Sequence, residues 1–318
     1  KKSKQPIILS RGKYMKRILF FIVTNIAILL VLSIFLSLTG FTGILQSNGV
    51  DLDYDSLMIF SLVFGMGGSF ISLYMSKWMA KKMAGVQVIT SPSNDFEKWF
   101  LMVVKRQANI LNIKVPEIGV FQSAGPNAFA TGSSKNNSLV ALSSGLISNM
   151  NREEIEAVIG HEMSHVANGD MVTLTLIQGI VNAFVIFFSR VIGHFVDRVI
   201  LKNERGYGIG YFFTVIFAQV VLGILASTIV MWYSRQREYR ADQGGAELTS
   251  KEAMIASLRA LAKHSSAKLP DQMLAFGISN QGKKSFFQKY FSSHPPLSER
   301  IERLQQTNIA TYSKQQTS

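Results

Sequence analysis

Residues 151–167 read Asn151-Arg-Glu-Glu154-Ile-Glu-Ala-Val-Ile-Gly-His161-Glu162-Met-Ser-His165-Val-Ala167. Asn151 is a good helix N-cap, Glu154 stands three residues on as in a capping box, and acids fill the first turn. Ile155, Val158, Ile159 and Val166 recur at helical spacing, so the stretch predicts a helix with one apolar face. On that helix His161 and His165 lie one turn apart on one side. Their imidazoles can bind a single Zn²⁺ at about 2.0–2.1 Å each. Glu162 projects beside them, where a carboxylate can take a proton from an attacking water. By chance His-Glu-x-x-His arises in roughly one such chain in a few hundred.

Catalytic zinc takes three protein ligands and keeps an open position, so a third ligand must come from elsewhere. The chain has no cysteine. That excludes disulfide scaffolds, thiolate-held metals and thiol catalysis, and leaves His and carboxylates as ligands. Ser234-Arg-Gln-Arg-Glu238-Tyr-Arg-Ala-Asp242 offers two acids four residues apart, on one helical face. Glu238 suits a ligand. Asp242 suits an acceptor that fixes the tautomer and angle of a ligand histidine.

The segments around these motifs are strongly apolar. Of 318 residues 47% are hydrophobic and only 17% charged, against about 25% in ordinary soluble domains, and the mean hydropathy is +0.21. Ile18–Leu38, Leu57–Ser76, Met171–Ser189 and Ile209–Ser234 carry no charged residue. Each is long enough for a membrane-spanning helix, which needs about 20 apolar residues. Residues 1–17 hold seven Lys/Arg and no acid, the loop 39–56 holds Asp51, Asp53 and Asp55, and Lys77, Lys81 and Lys82 follow the second span. This asymmetry places the N-terminus and the segment from 77 onward, up to the third apolar stretch, in the cytoplasm. Much of the net charge of +13 is thereby accounted for, and there is no nucleic-acid-binding motif to compete for it. Four cations in 190–208 sit awkwardly with an outside location for that loop. Met15-Lys16-Arg17 leads into the first span, so residues 1–14 are expected to be an upstream extension.

The expected organisation is therefore a basic segment 1–17, two transmembrane helices within 18–76, a first polar portion 77–170 that holds the His-Glu-x-x-His motif, a hydrophobic pair 171–234, and a second polar portion 235–318. The two polar portions join into one α+β domain. Glu117–Gln122, Asn127–Thr131 and Ser138–Ser143 read as short strands. Thr249 with Glu252 reads as the start of another helix, and Pro295-Pro296 as a helix start with Pro at its first position. Gly65, Gly67, Gly68, Ser69 and Ser72 suggest close helix packing in the second span. His194 and His264 receive no chemical role.

The ordered combination resembles the HtpX family of bacterial membrane zinc metalloproteases, relatives of the CAAX-prenyl endopeptidases. The features that carry it are the two N-terminal spans, Pro126-Asn127-Ala128-Phe129-Ala130-Thr131-Gly132, the His161–His165 motif, the hydrophobic pair, Glu238-Tyr-Arg-Ala-Asp242, and His294-Pro295-Pro296-Leu297-x-x-Arg300-Ile301. Tyr239 stands where the family often has Phe.

The resemblance implies a mainly α protein with a cytosolic gluzincin-type peptidase domain and a small sheet, in the bacterial inner membrane. It implies one Zn²⁺ on His161, His165 and Glu238, with Glu162 as base. It makes Asn127, Ala128, Phe129 and Ala130 an edge strand beside the cleft that takes an extended peptide by its backbone. His294, if near the metal, can donate to a developing oxyanion. The implied role is quality control of misfolded or damaged membrane proteins. The alternatives are processing of a prenylated or precursor peptide, or a non-enzymatic membrane scaffold or transporter. The last is disfavoured because the four apolar stretches hold no ionisable residue.

Overall fold

The computed structural model describes residues 53–204, 207–265 and 294–309. The basic N-terminal segment and the first expected span, Ile18–Leu38, lie outside the described residues. Three described helices are long and apolar enough to cross a membrane. They are α1 (Tyr54–Met83), α5 (Asp170–Phe195, running on as a π-helical turn Val196–Ile200) and α6 (Ile209–Leu248). On α6, Ile209, Phe213, Ile216 and Phe217 are more than half exposed. Water penalises such a band of large apolar side chains, whereas lipid accommodates it.

The helices outrun the uncharged stretches, α6 at its C-terminal end only. The third apolar stretch continues through Arg190, His194, Asp197 and Arg198. The fourth continues unbroken to Leu248 and so carries Glu238 and Asp242 on the same rod. Two of the awkward cations near 190–208 are engaged locally. Arg190 lies 4.9 Å over the Phe60 ring, and Arg198 Nη1 donates to the Asn203 carbonyl at 2.7 Å. The buried Asp197 closes the turn by accepting from Asn203 Nδ2 and Gly208 N.

The chain divides into two compact units, one up to Val63 with Asn182–Leu222, the other Phe64–Val181 with the chain from Gly223 onward. In the first, Phe187 and Val191 are buried against Leu57, Met58 and Phe184. The second holds a four-stranded sheet in the order β1-β2-β4-β3. Its strands are β1 (Gln87–Val88), β2 (Glu117–Phe121), β3 (Ala128–Ser134) and β4 (Asn137–Ser143). The β2–β4 pair is parallel and the other two pairs are antiparallel. β3 is an edge strand; among the described residues none pairs with its outer side.

Helix α2 (Asp95–Leu111), capped by Asn94, precedes β2, and the short α3 (Ser144–Asn149) follows β4. Helix α4 (Arg152–Asn168) carries the His-Glu-x-x-His motif and begins with the full capping box of Asn151 and Glu154. Ile155, Val158, Ile159, Met163 and Val166 of α4 share a core with Phe100 and Val104 of α2 and Ile118, Val140 and Leu142 of the sheet. The opposite side of α4 buries Ala157 against Met254 and Leu258 of α7 (Lys251–Ser265), Ala246 of α6 and Leu304 of α8 (Leu297–Gln306). A helix covered on both faces holds its side chains in single rotamers, which suits the helix that presents two histidines.

Small differences from the expected boundaries have local causes. Ser250 Oγ, not Thr249, accepts from the first turn of α7 at Ala253 N, while Thr249 Oγ1 turns back to the Gly245 carbonyl. Pro296 is the N-cap of α8 rather than its first helical residue, and His264 lies within α7. In the second span a side chain at Gly67 or Gly68 would meet nothing within 4 Å. The close contact is instead Met66 and Ser69 against Gly179.

Candidate metal centre

Two helices build this centre by crossing at glycine. A Cβ on Gly160 of α4 would come within 3.2 Å of the Gly245 backbone, and one on Gly245 within 3.0 Å of His161 N. A side chain at either position would press on the facing backbone, so glycine at both lets the helices approach this closely. The approach brings the acids of α6 over the histidines of α4. His161 Nε2 and His165 Nε2 converge to 3.2 Å. Glu238 Oε2 lies 3.5 Å from the first and Glu238 Oε1 3.4 Å from the second. Glu238 is completely buried, and its Oε1 has no hydrogen-bond partner.

This arrangement passes a simple test for a cation. Four donors at about 2.0–2.1 Å from a tetrahedral zinc stand about 3.3 Å from one another. The two Nε2 atoms are 3.2 Å apart, each lies 3.4–3.5 Å from one of the two Glu238 oxygens, and one ligand atom from each of the three residues lies within 4.8 Å of the others, close enough to share one ion. Glu238 Oε1 has ion-pair neighbours only at 3.4 Å (His165 Nε2) and 3.7 Å (Arg237 Nε) and no hydrogen bond; a buried carboxylate oxygen so weakly met is costly, and a cation between it and the two imidazoles would lower that cost. His161, His165 and Glu238 could therefore hold one metal ion.

Each imidazole is held from behind by a carboxylate. His161 Nδ1 is 2.9 Å from Asp242 Oδ1, and His165 Nδ1 is 2.8 Å from Asp170 Oδ2. With Nδ1–H donated outward, each ring turns the Nε2 lone pair toward the centre. Burial alone would lower the His161 pKa, but hydrogen bonds to Asp242 and Glu238 outweigh it and raise it to about 9. His165 is raised as well: burial opposes this, and Asp170 and Glu238 prevail.

Asp170 escaped the sequence reading. It is 1% exposed and stands five residues beyond His165, just after Gly169 ends α4 in the left-handed conformation. A glycine stop followed by an acid was the available signal, because the reversal it permits points the acid back at the last turn. The sequence alone assigns no role to Arg300. It is 6% exposed and donates from Nε and Nη2 to the two oxygens of Asp242 at 2.7 and 2.5 Å. Tyr239 also finds a partner that Phe would lack, since its hydroxyl donates to Glu299 Oε1 at 2.5 Å.

Four of the six remaining candidates, Asn127, Ala128, Glu162 and His294, line one cleft. A cavity of about 150 Å³ is lined by Asn127, Ala128, His161, Glu162, Glu238 and His294, among others. His294 Nδ1 is 2.8 Å from Glu238 Oε2, and its side chain is 61% exposed. Phe129 is turned away, packing on Phe121 at 5.3 Å between ring centroids, and Ala130 packs against the sheet–helix core. These two line the strand beyond the cavity, not the cavity itself.

Known proteins match this chain over most of its length. A model of peptidase family M48 matches residues 95–308, which takes in α4, Glu238 and His294. Protease HtpX of Thioalkalivibrio sulfidiphilus is 58% identical over 288 residues, covering 90% of this chain and 97% of that protein. The Protease HtpX homolog of Nitrosomonas europaea is 56% identical over 292 residues, covering 92% and 99%. Among solved structures, the crystal structure of S. mikatae Ste24p aligns with a TM-score of 0.55 at 17% identity, over 90% of this chain and 67% of that one. At that identity the likeness speaks to the fold alone. With a His-Glu-x-x-His helix crossed by a second helix bearing Glu238, three apolar helices and relatives matched almost end to end, this chain belongs to peptidase family M48 and is a membrane metalloprotease of the HtpX kind.

Proposed function

We propose that the protein is a zinc endopeptidase of the bacterial inner membrane that cuts the cytoplasmic parts of misfolded or damaged membrane proteins. The observation that carries this is the convergence of His161, His165 and Glu238 beside Glu162 in a cleft that also contains the start of edge strand β3. His161, His165 and Glu238 would hold the zinc. When bound there, zinc supplies Lewis acidity, polarising the scissile carbonyl and making the attacking water more acidic. Glu162 takes the proton of that water and delivers it to the leaving amine. Asn127 and Ala128 offer backbone groups to an extended substrate, a mode that tolerates many sequences. His294 supplies a donor toward the developing oxyanion.

The position of the acids along the helices supports a site at the membrane surface. Asp170 is the first residue of α5, and Glu238 stands one turn past Ser234, where the uncharged stretch of α6 ends. At about 1.5 Å per residue, these groups lie within about 6 Å of the apolar stretches. Cytoplasmic loops and tails of other membrane proteins pass within reach of such a site, and the basic residues on the N-terminal side and after the second span favour that face. The test is a ruler. One cleavable sequence is placed at increasing distance from the transmembrane helix of a substrate, and cutting by the reconstituted enzyme is measured. Cleavage is expected close to the bilayer and in flexible tails that loop back. Cleavage only of sequences held rigidly far from the bilayer would overturn the placement.

A further inference from the structure

The mechanism above leaves one buried charge without a task. Arg300 sits in the first turn of α8 and is 6% exposed. A guanidinium removed from water is unfavourable unless its donors are met by good acceptors. Here both oxygens of Asp242 meet it in a two-pronged contact, the geometry that a guanidinium forms and an ammonium cannot. Asp242 Oδ1, the oxygen nearest Arg300 Nη2, also lies 2.9 Å from His161 Nδ1. A third guanidinium nitrogen, Nη1, stands 3.6 Å from Glu238 Oε2.

A carboxylate held by one hydrogen bond can rotate about its last torsion, which is broad. One gripped at both oxygens cannot rotate without breaking two charge-assisted bonds. The plane of Asp242, and hence the direction in which His161 Nδ1 is drawn, is set by Arg300. We propose that Arg300 is a positioning residue, which by gripping Asp242 fixes the tautomer and angle of the His161 ring at the metal centre. The inference rests on the reading that His161 is a metal ligand.

Docking of α8 does not depend on this contact. Leu304 is buried among Ala157, Ala246, Met254 and Leu258, Tyr239 binds Glu299, Arg303 lies 3.8 Å over the Tyr239 ring, and Lys251 Nζ donates to the carbonyls of Gln305 and Thr307. A loss of Arg300 should therefore leave the helix in place and disturb the metal centre specifically.

The experiment is a double-mutant cycle on zinc affinity. Full-length protein carrying Glu162→Gln to prevent self-cleavage is purified in detergent, and zinc is competed against a chelator. Arg300→Gln and Asp242→Asn should each weaken binding by roughly 10–100-fold. Because the two act as one unit, the double variant should be no more than about threefold weaker than Asp242→Asn alone. Cobalt substituted for zinc should show a changed visible absorption in Arg300→Gln, since those bands report ligand geometry. Arg300→Lys keeps the charge and is measured in parallel, so that misfolding of the Gln variant does not decide the matter. It should lose about tenfold, because one ammonium does not grip both oxygens.

Affinity within twofold of the parent in both Arg300 variants, or losses that simply multiply in the double variant, would overturn the proposal. His161→Ala separates the underlying reading. If that variant keeps the parent affinity, His161 is not a ligand, whereas if it loses zinc while the Arg300 variants keep it, only the positioning role fails.

Discussion

His161 and His165 differ from ordinary helix-surface histidines in what stands behind them. Asp242 and Asp170 fix each Nδ1, so each Nε2 is committed to the centre. Such supporting carboxylates commonly matter 10–100-fold in metal affinity. Asp170→Asn should therefore weaken zinc binding by about that factor, as read by chelator competition. A change at the exposed Glu153 should leave it unaltered. The same contacts give a pH signature. The His161 pKa in the metal-free protein is raised from 6.5 to about 9. The stability contributed by its proton is thus fully present below about 6.5 and is lost as pH rises through about 9. Metal must displace that proton, so zinc affinity should climb with pH up to about 9. Calorimetry in buffers of different ionisation enthalpy should detect proton release at neutral pH; release independent of His161 would contradict the assignment.

At the scale of elements, the centre is the crossing of α4 and α6. Gly160 and Gly245 set the separation of the two backbones. Gly245→Val would push branched atoms into His161 N and the Ala157 carbonyl, 3.0 and 3.3 Å from the position of a first carbon. Overpacking of this kind costs about 1–3 kcal/mol. The expected result is a lower melting temperature together with lost zinc, while Gly223→Val, where a side chain meets nothing within 4 Å, should keep both.

The sequence shows why this crossing was only half legible. The capping box, the spacing of Ile155, Val158, Ile159 and Val166, and the uncharged stretches are local signals, and α4, α5 and α6 follow from them. Glu238 and Asp242 were visible as a helical pair. That they continue the fourth apolar helix without a break was not, because the drop in hydropathy after Ser234 looks like a boundary. Gly244-Gly245 reads locally as a helix weakness; its use as a contact surface depends on a partner 85 residues away. Asp170 and Arg300 were hidden for the same reason, since each serves a histidine on another turn or another helix.

For the whole molecule, the consequence is that two of the apolar helices carry acids of the candidate metal centre. α5 begins with Asp170, and α6 carries Glu238 and Asp242 beyond its apolar stretch, before its end at Leu248. A soluble fragment lacking the rods would have to hold these acids in place by the remaining contacts of the peptidase portion. On the proposed function, an edge strand beside a site near the bilayer would select substrates by reach and extended conformation more than by side chain. The central claim is that His161, His165 and Glu238 hold the metal while Glu162 moves the proton. It is tested most directly by zinc content and proteolysis of an unfolded substrate, measured together on Glu162→Gln and Glu238→Ala in parallel preparations. The account predicts that Glu162→Gln keeps its zinc and cuts nothing, and that Glu238→Ala loses both. Turnover by metal-loaded Glu162→Gln, or full zinc and full activity in Glu238→Ala, would contradict it.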